Sequence, residues 1–346
     1  MAHRILNNDK QEGTFQAWHG LTHIRKDLTI ENNWLSEWDI SPQPLFYGNG
    51  IESGFSMLQC TDDEEIHIGY PYNPETFHPI SNKEFLDLIM ASTGGAGHEV
   101  VSVGSVRNRG RTFMSLALKG MEEYEAAGRK FSAYLNFLNG HDKSSVLAVL
   151  TSNTCTVCDN TLSANLFKVE SGQMDSSDDM AVRVRHSKNS KMRFPEIAQL
   201  IDSAIGVQAK FKLEMDKMFQ EKVSSNTAKS FITGFLQRNK TEKEIEKAVQ
   251  LKGKSLSTRS EGTIERIENL FLNGKGNNGS NKSDLFSAFT DYYTHESSGG
   301  MDRNKQFVSS EFGAGLAAKQ GAYRTMTNDA QFEKTVRFGE KILSLN

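Results

Sequence analysis

The sequence predicts an α+β protein, strand-rich over residues 1–194 and helical over residues 195–346, with the helices packed on the strands as one compact unit. Three observations carry this. Short apolar runs separated by turn residues fill the first part, apolar residues three or four apart fill the second, and Pro195 stands where one pattern gives way to the other.

Taken in order, "FSMLQCTD" (55–62) is the first β-rich run, and "NKEFLDLIMAS" (82–92) is a helix. "STGGAGHEV" (92–100) then turns the chain into the next strand; its glycines lack the spacing of a dinucleotide fingerprint. "EVVSVGSV" (99–106), "RTFMSLALKG" (111–120), "KFSAYLNFLNG" (130–140), "SVLAVLTSNTCTVC" (145–158) and "MAVRVRHS" (180–187) are dense in β-branched and aromatic residues and read as strands and hairpins. Beyond Pro195, Ile197, Leu200, Ile201, Ala204, Val207, Phe211, Met215 and Met218 form one helical apolar stripe, a packing face. "TEKEIEKAVQLKG" opens with a capping box, Thr241 and Glu244, and stops at Gly253. "STRSEGTIERIENLFLNGKG" is a further amphipathic helix. The Gly/Asn/Lys-rich stretch 273–283 is expected to be a flexible surface loop; no Gly-Lys-Ser/Thr ends it, so it is no phosphate-binding loop.

The net charge of −3 argues against binding nucleic acid through a bulk field, so any such contact needs a local cationic surface. No stretch approaches the roughly 20 apolar residues of a membrane span. The N-terminus lacks a secretion signal, and a soluble, cytoplasmic protein is expected. Three cysteines, Cys60, Cys155 and Cys158, do not make a disulfide framework. Cys155 and Cys158 have Cys-x-x-Cys spacing, but on a strand residues three apart face opposite ways and two further zinc ligands are lacking. Packed thiols are the favoured reading, ahead of a metal or redox pair.

Basic residues form two candidate nucleic-acid-binding sets. Arg107, Arg109 and Arg111 alternate, which on a strand places all three guanidinium groups on one face. Arg183 and Arg185 repeat the pattern, followed by Lys188, Lys191 and Arg193. Both sets could track phosphates, with Phe131, Tyr134 or Phe137 as stacking surfaces if exposed. The competing reading is cationic strand edges that discourage edge-to-edge pairing. Catalytic patterns are weaker. His141 and Asp142 fit a turn, Asp291 and His295 share a helical face as a hydrogen-bonding pair, and His19 and His98 lack partners. No nucleophile, paired carboxylate, metal triad or cofactor motif stands out, so no metal or cofactor is expected.

Several blocks, in this order, resemble a widespread phage and plasmid family catalogued as a domain of unknown function, number nine-three-two: "FQAWHGL" (15–21), "ISNKEFLDLI" (80–89), "GRTFMSLALKG" (110–120), "YLNFLNGHDKSSVLAVLTSNTCTVCDNTL" (134–162) and the C-terminal segment 284–322. The family pattern falls on Trp18, His19, Gly20, His141, Asp142, Cys158, Asn160, Thr161, Leu162, Tyr292, His295, Phe312 and Gly313, none with an assigned role. Where the family pattern reads Arg-Val-Val-Cys, this chain has Cys155-Thr156-Val157-Cys158, which argues against an anion site there and against Cys155 as a family-wide ligand.

The resemblance implies a mobile-element setting in which DNA is handled or host restriction countered. Two functions follow as expectations. The first is a non-catalytic protein of DNA metabolism that binds or anneals single strands in the host cytoplasm, through the two arginine sets and with homo-oligomer packing. The second is a counter-defence protein that binds a host protein, for which the acidic segments "CTDDEEIH" and "SGQMDSSDDMA" could engage a basic partner.

Overall fold

Residues 99–106 are small or β-branched almost throughout, a pattern that suits a strand covered on both faces. In the computed structural model they form a strand buried from Val100 to Val106. Residues 4–8, 22–25, 27–93, 97–117, 119, 124–143, 146–155, 161–162, 181–297, 306, 309–310 and 313–345 are described. They confirm the α+β class, with sheets toward the N-terminus that are antiparallel apart from the parallel pairing of 4–8 with 22–25, and helices from Phe194 onward. The chain divides into two units: 1–124, 131–154 and 165–209 make the first, and 125–130, 155–164 and 210–346 the second.

The first unit contains two sheets. One has strands β1 (Arg4–Asn8), β2 (Thr22–Arg25), β6 (Glu99–Val106), β7 (Arg111–Ala117), β9 (Arg129–Gly140) and β10 (Leu147–Cys155) in the order β10-β9-β7-β6-β1-β2, and β12 (Ala181–Val184) also pairs with β10. The short strands β8 (Tyr124–Ala126) and β11 (Thr161–Leu162) fall mostly and wholly, respectively, in the residue ranges of the second unit. The second sheet is β3 (Ile40–Phe46), β4 (Glu52–Cys60) and β5 (His67–Tyr72), antiparallel in that order. Its outer strands carry Pro42, Pro44 and Pro71; proline cannot donate to a ladder and so blunts both edges against strand addition.

Helix α1 (Asn82–Thr93) closes this core with Phe85, Leu88 and Ile89. Its start is fixed twice. Ser81 and Glu84 exchange hydrogen bonds, and the Asp39 carboxylate accepts the N–H groups of Asn82 (2.7 Å) and Lys83 (3.3 Å), where a negative charge complements the helix dipole.

Helix α2 (Phe194–Gln220) carries the predicted stripe: Ile197 and Ile201 are buried in the first unit, Phe211, Met215 and Met218 in the second. The second unit continues with α3 (Ser225–Leu236), α4 (Glu242–Lys252), α5 (Thr258–Asn273), α6 (Lys282–Asp291), α7 (Ala314–Thr327) and α8 (Asp329–Ser344). Thr241 and Glu244 form the expected capping box, and Gly253 ends α4 in the left-handed region with φ 70°. Phe231, Phe235, Phe289 and Phe332 build an aromatic core, with Phe231 stacked on Phe332 at 4.9 Å and Phe235 edge-on to Phe289 at 5.1 Å. Where α3 crosses α8, Gly234 and Gly339 let the two backbones meet; a Cβ at Gly339 would lie 1.8 Å from the Ser230 carbonyl oxygen.

The loop expected to be flexible, 273–283, is fastened at several points. Asn277 Nδ2 donates to the Leu270 carbonyl (2.8 Å), Asn277 Oδ1 accepts from Arg129 (2.8 Å), and Asp284 accepts from the Ser280 N–H (3.1 Å). Arg129 also meets Asp284 at 2.5 Å, with both side chains buried. A buried charge that loses its partner costs about 3–5 kcal/mol. Asp284→Ala is therefore expected to destabilise the protein by about 3 kcal/mol in chemical denaturation. The double variant Arg129→Met with Asp284→Leu should recover much of that loss; equal losses in both would contradict the account.

Candidate functional site

The strand reading of the first arginine set is corrected by the structure. Between β6 and β7, residues 107–110 form a turn, with Arg107, Asn108 and Arg109 all left-handed (φ 56°, 50° and 65°) and the Gly110 N–H donating to the Arg107 carbonyl at 3.0 Å. Each such non-glycine residue carries backbone strain, which the neighbouring loop helps to hold: the N–H groups of His141 and Asp142 both donate to the Gly110 carbonyl. The three guanidinium groups therefore leave in different surroundings. Arg107 is exposed. Arg109 folds back, bonding Asp62 at 2.5 Å and lying 4.7 Å from the Trp38 ring centroid and 5.3 Å from that of Trp34. Arg111 begins β7 with only 2% of its surface accessible.

The second set is also divided. β12 ends at Val184, so Arg185 lies beyond the strand and is exposed, and the expected pairing of Arg183 and Arg185 on one strand face does not arise. Lys188 pairs with Glu75 at 2.7 Å. Lys191 and Arg193 lie in a short 3-10 turn (Ser190–Arg193); their side chains and that of Arg183 are outside the described ones. Phe131 and Phe137 are core residues and Tyr134 is half-buried, its phenol pKa raised by burial, so the proposed stacking surfaces are not open.

The histidines are built into the interior. His141 Nδ1 is 3.3 Å from the Arg109 carbonyl and Nε2 is 3.0 Å from Asn139 Nδ2, an arrangement that suits the neutral ring protonated at Nδ1. Burial lowers its pKa to about 4, against the weak opposing pull of the Arg109 carbonyl, Asp39 and Asp142. His186 packs against Phe77 at 5.3 Å, has no hydrogen-bond partner at either ring nitrogen, and is lowered to about 3 by burial and by His141. Asp291 caps a π-helical turn (Tyr292–Glu296) that contains His295, the two side chains lie 3.8 Å apart, and the Asp291 pKa is raised by burial. Among the described residues no group of three His, Cys, Asp or Glu side chains could hold a metal ion, and no helix is long and apolar enough to cross a membrane. Cys60 is a buried free thiol, its pKa raised by burial; Cys158 and the Cys155 side chain lie outside the described residues.

What the sequence reading passed over is the β3–β4 hairpin. β4 pairs with β5 only from Ser56 to Gln59, whereas β3 and β4 pair out to Phe46 and Glu52. Residues 44–55 thus form a two-stranded arm beyond the third strand, closed by a turn in which Gly50 donates to Tyr47 and Tyr47 to Ile51, both at 2.8 Å. Phe46, Tyr47, Ile51 and Phe55 on this arm are 47–61% exposed, and Tyr70 on β5 is 79% exposed. An isolated hairpin is marginal in water, and clustered exposed apolar side chains mark an interaction surface. The surrounding sequence gave one usable signal: residues 27–82 contain ten Asp and Glu and no Lys or Arg. Glu52 is exposed on the arm itself, and Glu64 and Glu65 are exposed in the β4–β5 turn at the opposite end of β4. At the base of the same segment a cavity of about 570 Å³ is walled by Leu35, Trp38, Leu86 and Met90 and rimmed by Glu31 and Asp87.

Fold and site together describe an α+β protein with a sheet-borne apolar arm inside an acidic stretch of sequence. The chain belongs to the family described as Domain of unknown function (DUF932), whose model matches residues 73–331. That span takes in four of the five blocks quoted above and begins after the arm. No curated protein and no solved structure matches the chain.

Proposed function

We propose that this protein works without catalysis, by binding another protein through the β3–β4 arm. The observation that carries the reading is the coincidence of exposed Phe46, Tyr47, Ile51 and Phe55 with a segment that has no cation to meet a phosphate. Aromatic rings alone can stack on bases, but single-strand binding also needs a cationic groove, and Arg109 and Lys188 are already engaged by Asp62 and Glu75. In the phage and plasmid setting that the family resemblance implies, protein binding through the arm fits a counter-defence role.

The test is affinity capture with the wild-type chain and with Phe46→Ser/Tyr47→Ser, in parallel with gel shifts of short single strands at low salt. The expected result is at least one protein recovered only with the wild type, at more than tenfold enrichment over the variant and unaffected by nuclease. A single strand shifted with equal affinity by both chains, with no arm-dependent protein recovered, would replace this reading with the polynucleotide one.

A further inference from the structure

We infer that the partner which seats on the arm is a second copy of this chain, in a head-to-tail contact; this rests on reading the arm as a protein-binding element. The argument is electrostatic first. Residues 27–82 carry ten carboxylates and no Lys or Arg, while all 40 Lys and Arg and the other 33 of the 43 Asp and Glu lie elsewhere, so the remainder of the chain has net charge +7. One chain therefore holds both signs on separate stretches of sequence. Two arms meeting each other would bring two acidic segments together, which opposes a symmetric arm-to-arm dimer. An arm meeting the cationic remainder of a neighbour is attracted.

That remainder offers a surface of matching character on the last turns of α2. Leu213 is 70% exposed, and Lys210 and Lys212 beside it are exposed with no ion-pair partner among the described residues. Leu213 suits the Phe46 and Tyr47 rings, and the two ammonium groups suit Glu52, which pairs with Phe46 across the arm. The blunted edges of the three-stranded sheet matter here too. With Pro42, Pro44 and Pro71 on its outer strands, the sheet is poorly made for extending itself by strand pairing, so the contact is one of side chains on the arm. Because the arm and the lysine-flanked leucine are different surfaces, the contact is heterologous, and successive copies add on until a ring closes or a filament forms.

Sedimentation velocity on the purified full-length chain tests this directly. At low salt the wild type is expected to sediment above the 38.6 kDa of one chain, with the larger species diminishing as concentration falls or salt rises. Phe46→Ser/Tyr47→Ser and, separately, Lys210→Glu/Leu213→Ser should each be monomeric, both with an unchanged circular dichroism spectrum. Mixed one to one, the two variants should form a dimer and nothing larger, since one intact arm and one intact leucine surface remain. A mixture that stays monomeric, or wild-type assembly that survives the arm substitutions, overturns the inference. If the wild type is monomeric at every concentration yet still captures a foreign protein through the arm, self-assembly fails and the protein-binding reading stands. If neither occurs, both fail.

Discussion

Gly339→Ala is expected to destabilise the helical unit by about 3 kcal/mol or more, at or above the top of the usual cost of overpacking. A methyl group there would sit 1.8 Å from the Ser230 carbonyl oxygen and 2.9 Å from the Gly234 nitrogen, and neither is the movable end of a side chain. Gly234→Ala meets the reciprocal obstacle, with the Thr335 carbonyl oxygen at 2.1 Å. Either change must push α3 and α8 apart and open the packing of Phe231 on Phe332. Gly262, within α5, is the control: nothing lies within 4 Å of its Cβ position, so alanine there should stabilise by roughly 0.5–1 kcal/mol through reduced backbone freedom in the unfolded chain. Guanidinium denaturation followed by far-ultraviolet circular dichroism reads the helices. A Gly339→Ala midpoint indistinguishable from wild type would mean that the helix crossing is looser than described.

The second large effect is on acid stability. In the folded chain His141 and His186 are held neutral, with pKa values of about 4 and about 3, against about 6.5 in an unfolded chain. Between those limits the unfolded state takes up protons that the folded state refuses, so stability rises with pH, is complete above about pH 7 and is lost as pH falls through 6.5 toward 4. Going from pH 7.5 to 5 should cost roughly 2 kcal/mol for each histidine at 1.36 kcal/mol per pKa unit. Trp34 and Trp38 are buried in the first unit, so their fluorescence follows that unit during denaturation at each pH. His186→Leu should remove about half of the pH dependence at small cost, since neither ring nitrogen of His186 has a hydrogen bond to lose. An unchanged slope in that variant would show that the acid sensitivity arises elsewhere.

Much of the architecture could be read from local pattern. "EVVSVGSV" matches β6 residue for residue, and Thr241, Glu244 and Gly253 bound α4 as their side-chain chemistry requires. The failures have equally local causes. Alternating arginines at 107, 109 and 111 imitate a strand face, yet Val106 pairs with Arg111, and that register forces the residues between them into a tight turn. No period-two argument detects three consecutive left-handed residues; only the pairing of the flanking strands reveals them. The arm was hidden for another reason. "SPQPLFYGNGIESGF" contains two prolines and three glycines, so it reads as loop, and its strand character depends on pairing between β3 and β4. The burial of His141 and His186 was invisible because they come from distant stretches, and burial is a property of the assembled core.

The arm lies ahead of residue 73, where the family match begins, and it is joined to the body only through its root. Its tip can be exchanged for another dozen residues while the sheet's root, Ile40 against Cys60 and Leu58 beside Ile68, stays intact. On the proposed reading of the arm, grafting a foreign hairpin between Gln43 and Ser56 should transfer recognition without redesigning the body.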